Sequence, residues 1–362
     1  MSLMLENITL TENDQPHIYE TNLRLEKATM NVLLGATLSG KTTLMRLMAG
    51  LDKPSSGSIL WNDEDVTGVR VQDRDIAFVY QQFINYPSLT VYENIASPLR
   101  LMNKNSADID KAVRQCADLM KLSSFLTRKP LELSGGQQQR CALARALVKG
   151  SGLVLLDEPL ANLDYKLREE LRAEIPKIFA DSGAIFVYAT TEPEEALLLG
   201  GNTATLHEGR ITQFGKTSTI YRQPKDATTA RIFSNPPMNF LKLSKSGNKI
   251  TFSDGTNAKA SEALSKLGDG DYIAGFRPNH LELAQHSDMA IKFNAKLDVT
   301  EITGSETYMH MRHGGERWVG LVHGVHDLTL GEEVSVFLDP SHIYTFSQDG
   351  NMVLPAFYAK GI

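Results

Sequence analysis

The chain has 362 residues, a formal net charge of -6, 42% hydrophobic and 22% charged residues, and two cysteines. That length suits two domains better than one, and the composition is that of an ordinary water-soluble protein. The acidic balance argues against a sequence-independent grip on nucleic acid, and two cysteines argue against a disulfide framework. Residues 1–9 lack a basic-then-apolar signal pattern, and no run approaches the roughly 18 apolar residues of a membrane span. The expectation is a soluble, cytoplasmic protein whose association with a membrane runs through a partner.

In chain order, residues 3–10 alternate apolar and polar side chains, the mark of a half-buried strand, and Leu23 to Leu25 suggest another. The more continuous apolar run 30–34 fits a buried strand. It leads into Gly35-Ala36-Thr37-Leu38-Ser39-Gly40-Lys41-Thr42-Thr43 and then into the helical spacing of residues 44–49. Strand, glycine loop and helix in this order wrap backbone N–H groups around a triphosphate. Lys41 reaches the β- and γ-phosphates, the Thr42 hydroxyl sits on Mg²⁺, and the helix adds its positive N-terminal end. A nucleoside triphosphate with Mg²⁺ is the ligand that this pattern fits.

Gly50 closes that helix, residues 54–57 form a turn, and residues 58–61 form a short strand. The next strand, residues 75–80, ends at Gln81. From there to about Gly150 the pattern is helical. Thr90 caps a helix through Ile95 that Pro98 interrupts or bends, and residues 106–122 space Ile109, Val113, Cys116 and Met120 at helical intervals. Leu133-Ser134-Gly135-Gly136-Gln137 opens a further helix with Ala142, Leu143, Ala146 and Leu147 on one face, so Cys116 and Cys141 both read as helix core.

Residues 153–156 form a buried strand that delivers Asp157 and Glu158 at its end. Asp157 is the metal carboxylate of such a site, and Glu158 is placed to polarise the water that attacks the γ-phosphate. A last core strand, residues 184–188, ends near Thr190-Thr191, ahead of a helix whose first residue is Pro193. Lys41, Gln81, Asp157-Glu158 and Thr191 thus all stand just past the C-terminal ends of apolar strands. In an open parallel sheet those ends line one crevice, so one nucleotide could touch all four.

Ser134 and the two glycines after it make a second anion-binding helix start. One nucleotide cannot use both ends within one subunit unless the chain folds back tightly. A dimer solves this, with the second end of one chain closing over the ATP of its partner. Beyond about Pro236 the helical spacing fades into short strand-like segments separated by Gly, Asn and Asp turns, which reads as a small all-β barrel of the oligomer-binding kind. His310, His313 and His323 lie there without carboxylate or cysteine partners at ligand spacing and are expected on the surface.

The phosphate loop, LSGGQ at 133–137, LLDEP at 155–159 and Ala161-Asn162-Leu163-Asp164 occur in the order and spacing of ABC-transporter ATPases. The whole chain resembles the ATPase subunit of maltose-type carbohydrate importers. Tyr80-Gln81-Gln82, Tyr86-Pro87 and LTVYENI at 89–95 carry that resemblance, as do PMNF at 237–240 and GFRP at 275–278. More narrowly, GATLSGKT and VYQQFINYP look like one of the two paired ATPases of bacterial glycerol importers.

The resemblance implies an α/β, P-loop ABC domain at 1–235, with a parallel-sheet core and a helical subdomain at about 82–150. A C-terminal all-β regulatory barrel at 236–362 follows. It implies that Gly35 to Thr43 bind phosphate, that Thr42, Gln81 and Asp157 face Mg²⁺, and that Glu158 is the catalytic carboxylate. Ser134, Gly135, Gly136 and Gln137 would cap ATP held by the other subunit, and Asp164 would lie at the dimer seam. The implied partners are a second ABC ATPase, two membrane-spanning permease subunits docking near residues 83–95, and, indirectly, a periplasmic or surface solute-binding protein. Nucleic acid is not among them. The implied location is the cytoplasmic face of the bacterial cell membrane. Phe83 and Tyr86 fit either the permease groove or subdomain core.

Three positions depart from the family pattern. The switch histidine is replaced by Thr191, whose hydroxyl is shorter than an imidazole and cannot become cationic. The adenine-stacking aromatic should fall near Glu12; His17 or Tyr19 could substitute, but simple register argues against both. Leu38 stands where glycine is usual. All three fall on the chain's own nucleotide site, whereas LSGGQ is intact. The expectation is a heterodimer in which this chain's own site is slow and its signature segment completes the faster site of its partner. The alternatives are a mainly regulatory subunit with residual hydrolysis and a soluble, non-transport ABC ATPase.

Overall fold

The computed structural model describes residues 1–360 except Phe83, Asn162, Asp164 and Asp181. It divides into two compact units, Met1–Thr217 and Ser218–Ile362. Residues 218–235, placed with the first domain in the sequence reading, cluster with the second unit.

The first unit holds two sheets. Strands β1 (Ser2–Glu12), β2 (Gln15–Glu26), β4 (Ser56–Trp61) and β5 (Glu64–Asp65) form an antiparallel sheet in the order β2-β1-β4-β5. Strands β3 (Met30–Leu34), β6 (Ile76–Val79), β7 (Leu153–Asp157), β8 (Ile185–Thr190), β9 (Asn202–His207) and β10 (Arg210–Lys216) form the second, ordered β10-β9-β3-β8-β7-β6. All of its pairings are parallel except that of the edge strand β10. Helix α1 (Lys41–Ala49) fills the space between the sheets. Its Leu44, Met45, Leu47 and Met48 share one apolar cluster with Leu3, Leu5 and Ile8 of β1, Leu153 and Leu155 of β7, and Ile185 and Val187 of β8. The helix ends at Gly50, whose φ of 73° suits a left-handed cap. Arg74 seals that end by donating to the Met48 carbonyl at 3.0 Å, where a cation meets the negative end of the helix.

The helical part contains α2 (Val91–Leu101), α3 (Ser106–Leu119) and α4 (Gly135–Leu147). Thr90 and Glu93 cap α2 reciprocally, as the sequence suggested. Pro98 does not interrupt this helix. The carbonyl of Asn94, deprived of its usual N–H donor, accepts the Ser97 hydroxyl at 2.8 Å instead. Cys116 and Cys141 are buried, and burial pushes both thiols up to about 12, which leaves them inert. Helices α5 (Tyr165–Ala180) and α6 (Pro193–Leu199) follow β7 and β8 respectively.

The second unit begins within α7 (Thr217–Arg222) and continues through α8 (Ala227–Ile232) into two antiparallel sheets. Its strands are β11 (Asn239–Ser246), β12 (Lys249–Phe252), β13 (Asn257–Lys259), β14 (Gly270–Phe276), β15 (Leu281–Glu282), β16 (Ile291–Ile302), β17 (Glu306–His313), β18 (Glu316–His323), β19 (Glu333–Leu338), β20 (Tyr344–Phe346) and β21 (Met352–Leu354). One sheet runs β13-β12-β11-β14-β20-β21 and the other β15-β19-β16-β17-β18. Trp318 anchors the core, edge-on to Phe276 and Phe293 at centroid distances of 5.0 and 5.3 Å.

The surface expectation fails for His313. Strand β17 buries every second residue, and His313 follows Met309 and Met311 inward. Its Nδ1 lies 2.8 Å from the Asn294 carbonyl and its Nε2 2.9 Å from Asp254 Oδ2. That carboxylate comes from the β12–β13 turn, far away in the chain, so sequence spacing could not show it. His310 also has a carboxylate neighbour, Glu301, at 3.1 Å, though it remains on the surface with His323.

His280 and His342 stack at 4.2 Å, with Tyr358 edge-on to both. Burial, reinforced by His342 and Arg277, pushes the His280 imidazole down to about 3; burial lowers His342 as well, with Asp339 opposing. A histidine whose folded value lies below its unfolded value near 6.5 contributes stability above that pH and loses it as pH falls toward the folded value. Acidification from pH 7.5 to 5 therefore lowers the unfolding temperature of the second unit, at about 1.4 kcal/mol per pH unit for each proton taken up on unfolding. Calorimetry of the full chain reads this, and His280→Gln flattens the dependence.

Candidate nucleotide site

The four strands β3, β8, β7 and β6 are neighbours and parallel, so Leu34, Thr190, Asp157 and Val79 end at one edge of the sheet. The loop after β3 turns tightly there. A Cβ on Gly35 would meet the Leu206 carbonyl at 2.4 Å and Ser39 Oγ at 2.6 Å, and Gly40 takes a φ of 102°. Ser39 Oγ is buried and has no hydrogen-bond partner among the described residues. Helix α1 starts at Gly40 with no side-chain cap and no acidic residue in its first turn. Its first N–H groups thus remain free to receive an anion. A hydroxyl without a partner, an uncapped helix start and a tight turn with no room for a side chain at Gly35 fit a polyphosphate.

Lys41 is buried and donates to the carbonyls of Gly35 (2.8 Å) and Ala36 (3.0 Å), while lying 3.5 Å from Glu158. Burial lowers its ammonium from the ordinary value, and the Glu158 charge opposes this. Thr42 Oγ1 donates to Asp157 Oδ2 at 2.8 Å, and burial raises the Asp157 carboxyl. A divalent cation offsets that burial, so this hydroxyl–carboxylate pair fits Mg²⁺. Gln81 donates its side-chain amide to Glu158 at 3.0 Å, and Glu158 holds a φ of 46°, a strained conformation typical of working sites. The structure thus brings Lys41, Thr42, Gln81, Asp157 and Glu158 together by direct contacts.

A cavity of about 270 Å³ lies over this cluster, lined by Thr37, Leu38, Gly40, Lys41, Thr42, Thr43, Gln81, Glu158 and also His17. His17 is a correction. Register argued against it, yet it lines the cavity; β1 and β2 pair with three irregularities in register, which the sequence does not show. Tyr19 is not among the lining residues; the Arg210 guanidinium covers its ring at 3.4 Å. Leu38 is 96% exposed with a φ of 66°, so its side chain projects from the loop into solvent.

Thr191 is exposed beyond β8 and does not line this cavity. Neither do Ser134 to Gln137. They open α4, where Ser134 Oγ accepts the Gln137 N–H (3.4 Å) and Gln137 Oε1 accepts the Ser134 N–H (3.0 Å). Asp164 and Phe83 lie outside the described residues. Tyr86 is half-exposed under the Arg145 guanidinium, in a loop held by the buried Asn94 side chain. A larger cavity, about 390 Å³, lies at the opposite ends of the strands beside Leu3, Trp61 and Arg74. Each nitrogen of the Arg74 guanidinium already donates to a backbone carbonyl, of Val69, Met48 or Val66. The chemistry lies at the smaller cavity.

Comparison with known proteins agrees with this geometry. Residues 18–161 match the ABC transporter family and residues 274–346 the TOBE domain. The trehalose/maltose import ATP-binding protein MalK of Thermococcus litoralis is 36% identical over 91% of this chain and 93% of its own. The chain belongs to the ATP-binding subunits of ABC transporters. The osmoprotective compounds uptake ATP-binding protein GgtA of Synechocystis is 32% identical over 96% of this chain and 98% of its own. The dimeric, post-hydrolysis structure of the ATP-binding cassette MJ0796, bound to ADP and Pi, superposes with a TM-score of 0.54. It is 28% identical and covers 59% of this chain and 98% of its own. This ABC ATPase, an α/β P-loop unit followed by an all-β TOBE-type unit, therefore uses ATP with Mg²⁺. Among the described residues no helix is long and apolar enough to cross a membrane.

Overpacking the loop at Gly35 tests the fit directly. Gly35→Ala forces a shift of about 1–3 kcal/mol in cost, so ATP affinity falls about tenfold or more, read by titration with a fluorescent ATP analogue.

Sequence reasoning missed a further group. Arg168 and Arg172 of α5 meet Glu192 and Glu195 beside Thr191. The only hint in the sequence was Pro193 opening a helix that carries two further acidic residues.

Proposed function

We propose that this chain is one of two non-identical ATPases that drive an importer for a small polyol or sugar, glycerol in the first instance. In this reading it sits on the cytoplasmic face of the cell membrane, against two permease subunits that dock near residues 83–95. Its own nucleotide site turns over slowly, and its signature segment completes the faster site of its partner. The observation that carries the proposal is the contrast between the two ends: Ser134 to Gln137 form an intact, exposed helix start, while the chain's own site has Thr191, Leu38 and Glu12 at the three departing positions. The trehalose/maltose import relative supports a substrate of the sugar class.

Bound ATP with Mg²⁺ supplies the phosphoanhydride and the charge that holds it. Gly35 to Thr43 grip the phosphates, Lys41 leaving the Gly35 and Ala36 carbonyls for the β/γ oxygens. Thr42, Gln81 and Asp157 would hold the metal, and Glu158 would take the proton of the attacking water. Glu158, held by Gln81 and Lys41, speaks for a slow site rather than a dead one. Asp164 belongs to the dimer seam.

Copurification of the tagged chain from its native membrane tests this reading. Two permease subunits and a second, different ATPase are expected, with ATP-dependent uptake of labelled glycerol by the reconstituted assembly. Recovery of this chain as the sole ATPase sinks the pairing, and uptake of another solute class sinks the substrate.

A further inference from the structure

Thr191 is exposed and has no hydrogen-bond partner among the described residues, yet both its neighbours are held from several sides. The Thr190 carbonyl accepts the N–H of Gly35 at 3.3 Å. Its hydroxyl donates to Glu195 at 2.6 Å and accepts the Glu192 N–H at 3.0 Å. Glu192 takes Arg168 at 2.9 Å and also Arg172. Glu195 is 5% exposed and accepts the Tyr188 hydroxyl at 3.1 Å and Arg172 Nη2 at 3.0 Å. Arg168 extends the web by donating to the Ala161 carbonyl at 3.0 Å, in the loop that leads from Glu158 to α5.

Joining α5 to α6 needs none of this. Apolar side chains would do it without desolvating two guanidinium groups and two carboxylates. What charge-assisted, forked hydrogen bonds add is direction, because each fixes a planar group at one orientation. The planes fixed here belong to the residues on both sides of Thr191 and to the loop beyond Glu158.

We infer that Arg172, with Arg168, Glu192 and Glu195, positions Thr191 for the γ-phosphate and ties it to the loop after Glu158. Displacement of that loop is then felt at the switch position. This rests on the reading of Thr191 as the group that faces the γ-phosphate. Arg172 does not line the nucleotide cavity; it acts through Thr191.

The test uses the assembled transporter with the catalytic carboxylate of the partner ATPase replaced by glutamine, so that this chain's own site is read. Arg172→Ala lowers kcat about tenfold, a loss of the size that misplacement of a reacting group causes, and changes KM for ATP by less than about twofold. Arg172→Lys recovers part of the loss. In Arg172→Ala combined with Thr191→Ala, turnover is no lower than in Thr191→Ala alone, because both changes remove one arrangement. Should Arg172→Ala fail to fold, Arg168→Ala cuts the Glu192–Ala161 link from a more exposed position and takes the same cycle. Losses that multiply in the double variant, or kcat and KM moving together with a fall in unfolding temperature, overturn the inference while leaving the function intact. A Thr191→Ala variant as active as wild type overturns the reading beneath it, and the inference with it.

Discussion

In the assembled transporter, Ser134→Asp lowers ATP turnover by about 10²-fold, whereas Glu158→Gln lowers it by less than about twofold. The substitution at 134 is chosen so that the helix survives. Aspartate caps a helix as well as serine does, so α4 keeps its start, where Ser134 now accepts the Gln137 N–H. What changes is charge: a carboxylate is placed where the γ-phosphate of the partner's ATP would approach. On the proposed division of labour, Glu158→Gln removes the general base only from the slower site. Phosphate release measured for the two variants side by side decides the matter. Turnover abolished by Glu158→Gln and untouched by Ser134→Asp sinks the division of labour.

Thr191→His raises turnover at the chain's own site by about 10²-fold. A positioned acid–base group is worth about 10²–10⁴-fold, and the lower end applies here because the base-binding side still lacks its aromatic. An imidazole fits, since Thr191 is exposed while Thr190 and Glu192 hold the backbone on either side. Single-turnover hydrolysis with the partner site silenced reads the gain. An unchanged rate moves the defect to Leu38 and His17, the remaining unusual groups lining the cavity.

How much of this site was legible in the sequence varies residue by residue. Lys41, Thr42 and Asp157 were found because their roles depend on local context: a strand, a loop with glycines at fixed offsets, a helix, and an acid ending a buried strand. That Gln81 and Glu158 border one crevice followed from the rule that parallel strands end together, with no knowledge of strand order; the hydrogen bond between them did not. His17 was set aside on register because the sequence does not show the irregular pairing of β1 and β2. Of the two effects expected of Pro98, interruption does not occur, and the Ser97 hydroxyl, one residue away, satisfies the carbonyl that proline leaves bare. His313 was placed on the surface because its carboxylate partner lies in another hairpin.

The sequence by itself determined the phosphate loop, the signature helix start, the order of α/β and all-β units, and the three positions that depart from the family pattern. Each is written in residues adjacent in the chain, where backbone freedom, capping and periodicity act over a few positions. Only the tertiary structure decided that His17 shares a cavity with Lys41, that Glu158 is held between Gln81 and Lys41, and that four charged side chains of α5 and α6 grip the residues beside Thr191. Such contacts join segments far apart in sequence. Their geometry depends on how sheets register and helices pack, which no local pattern records.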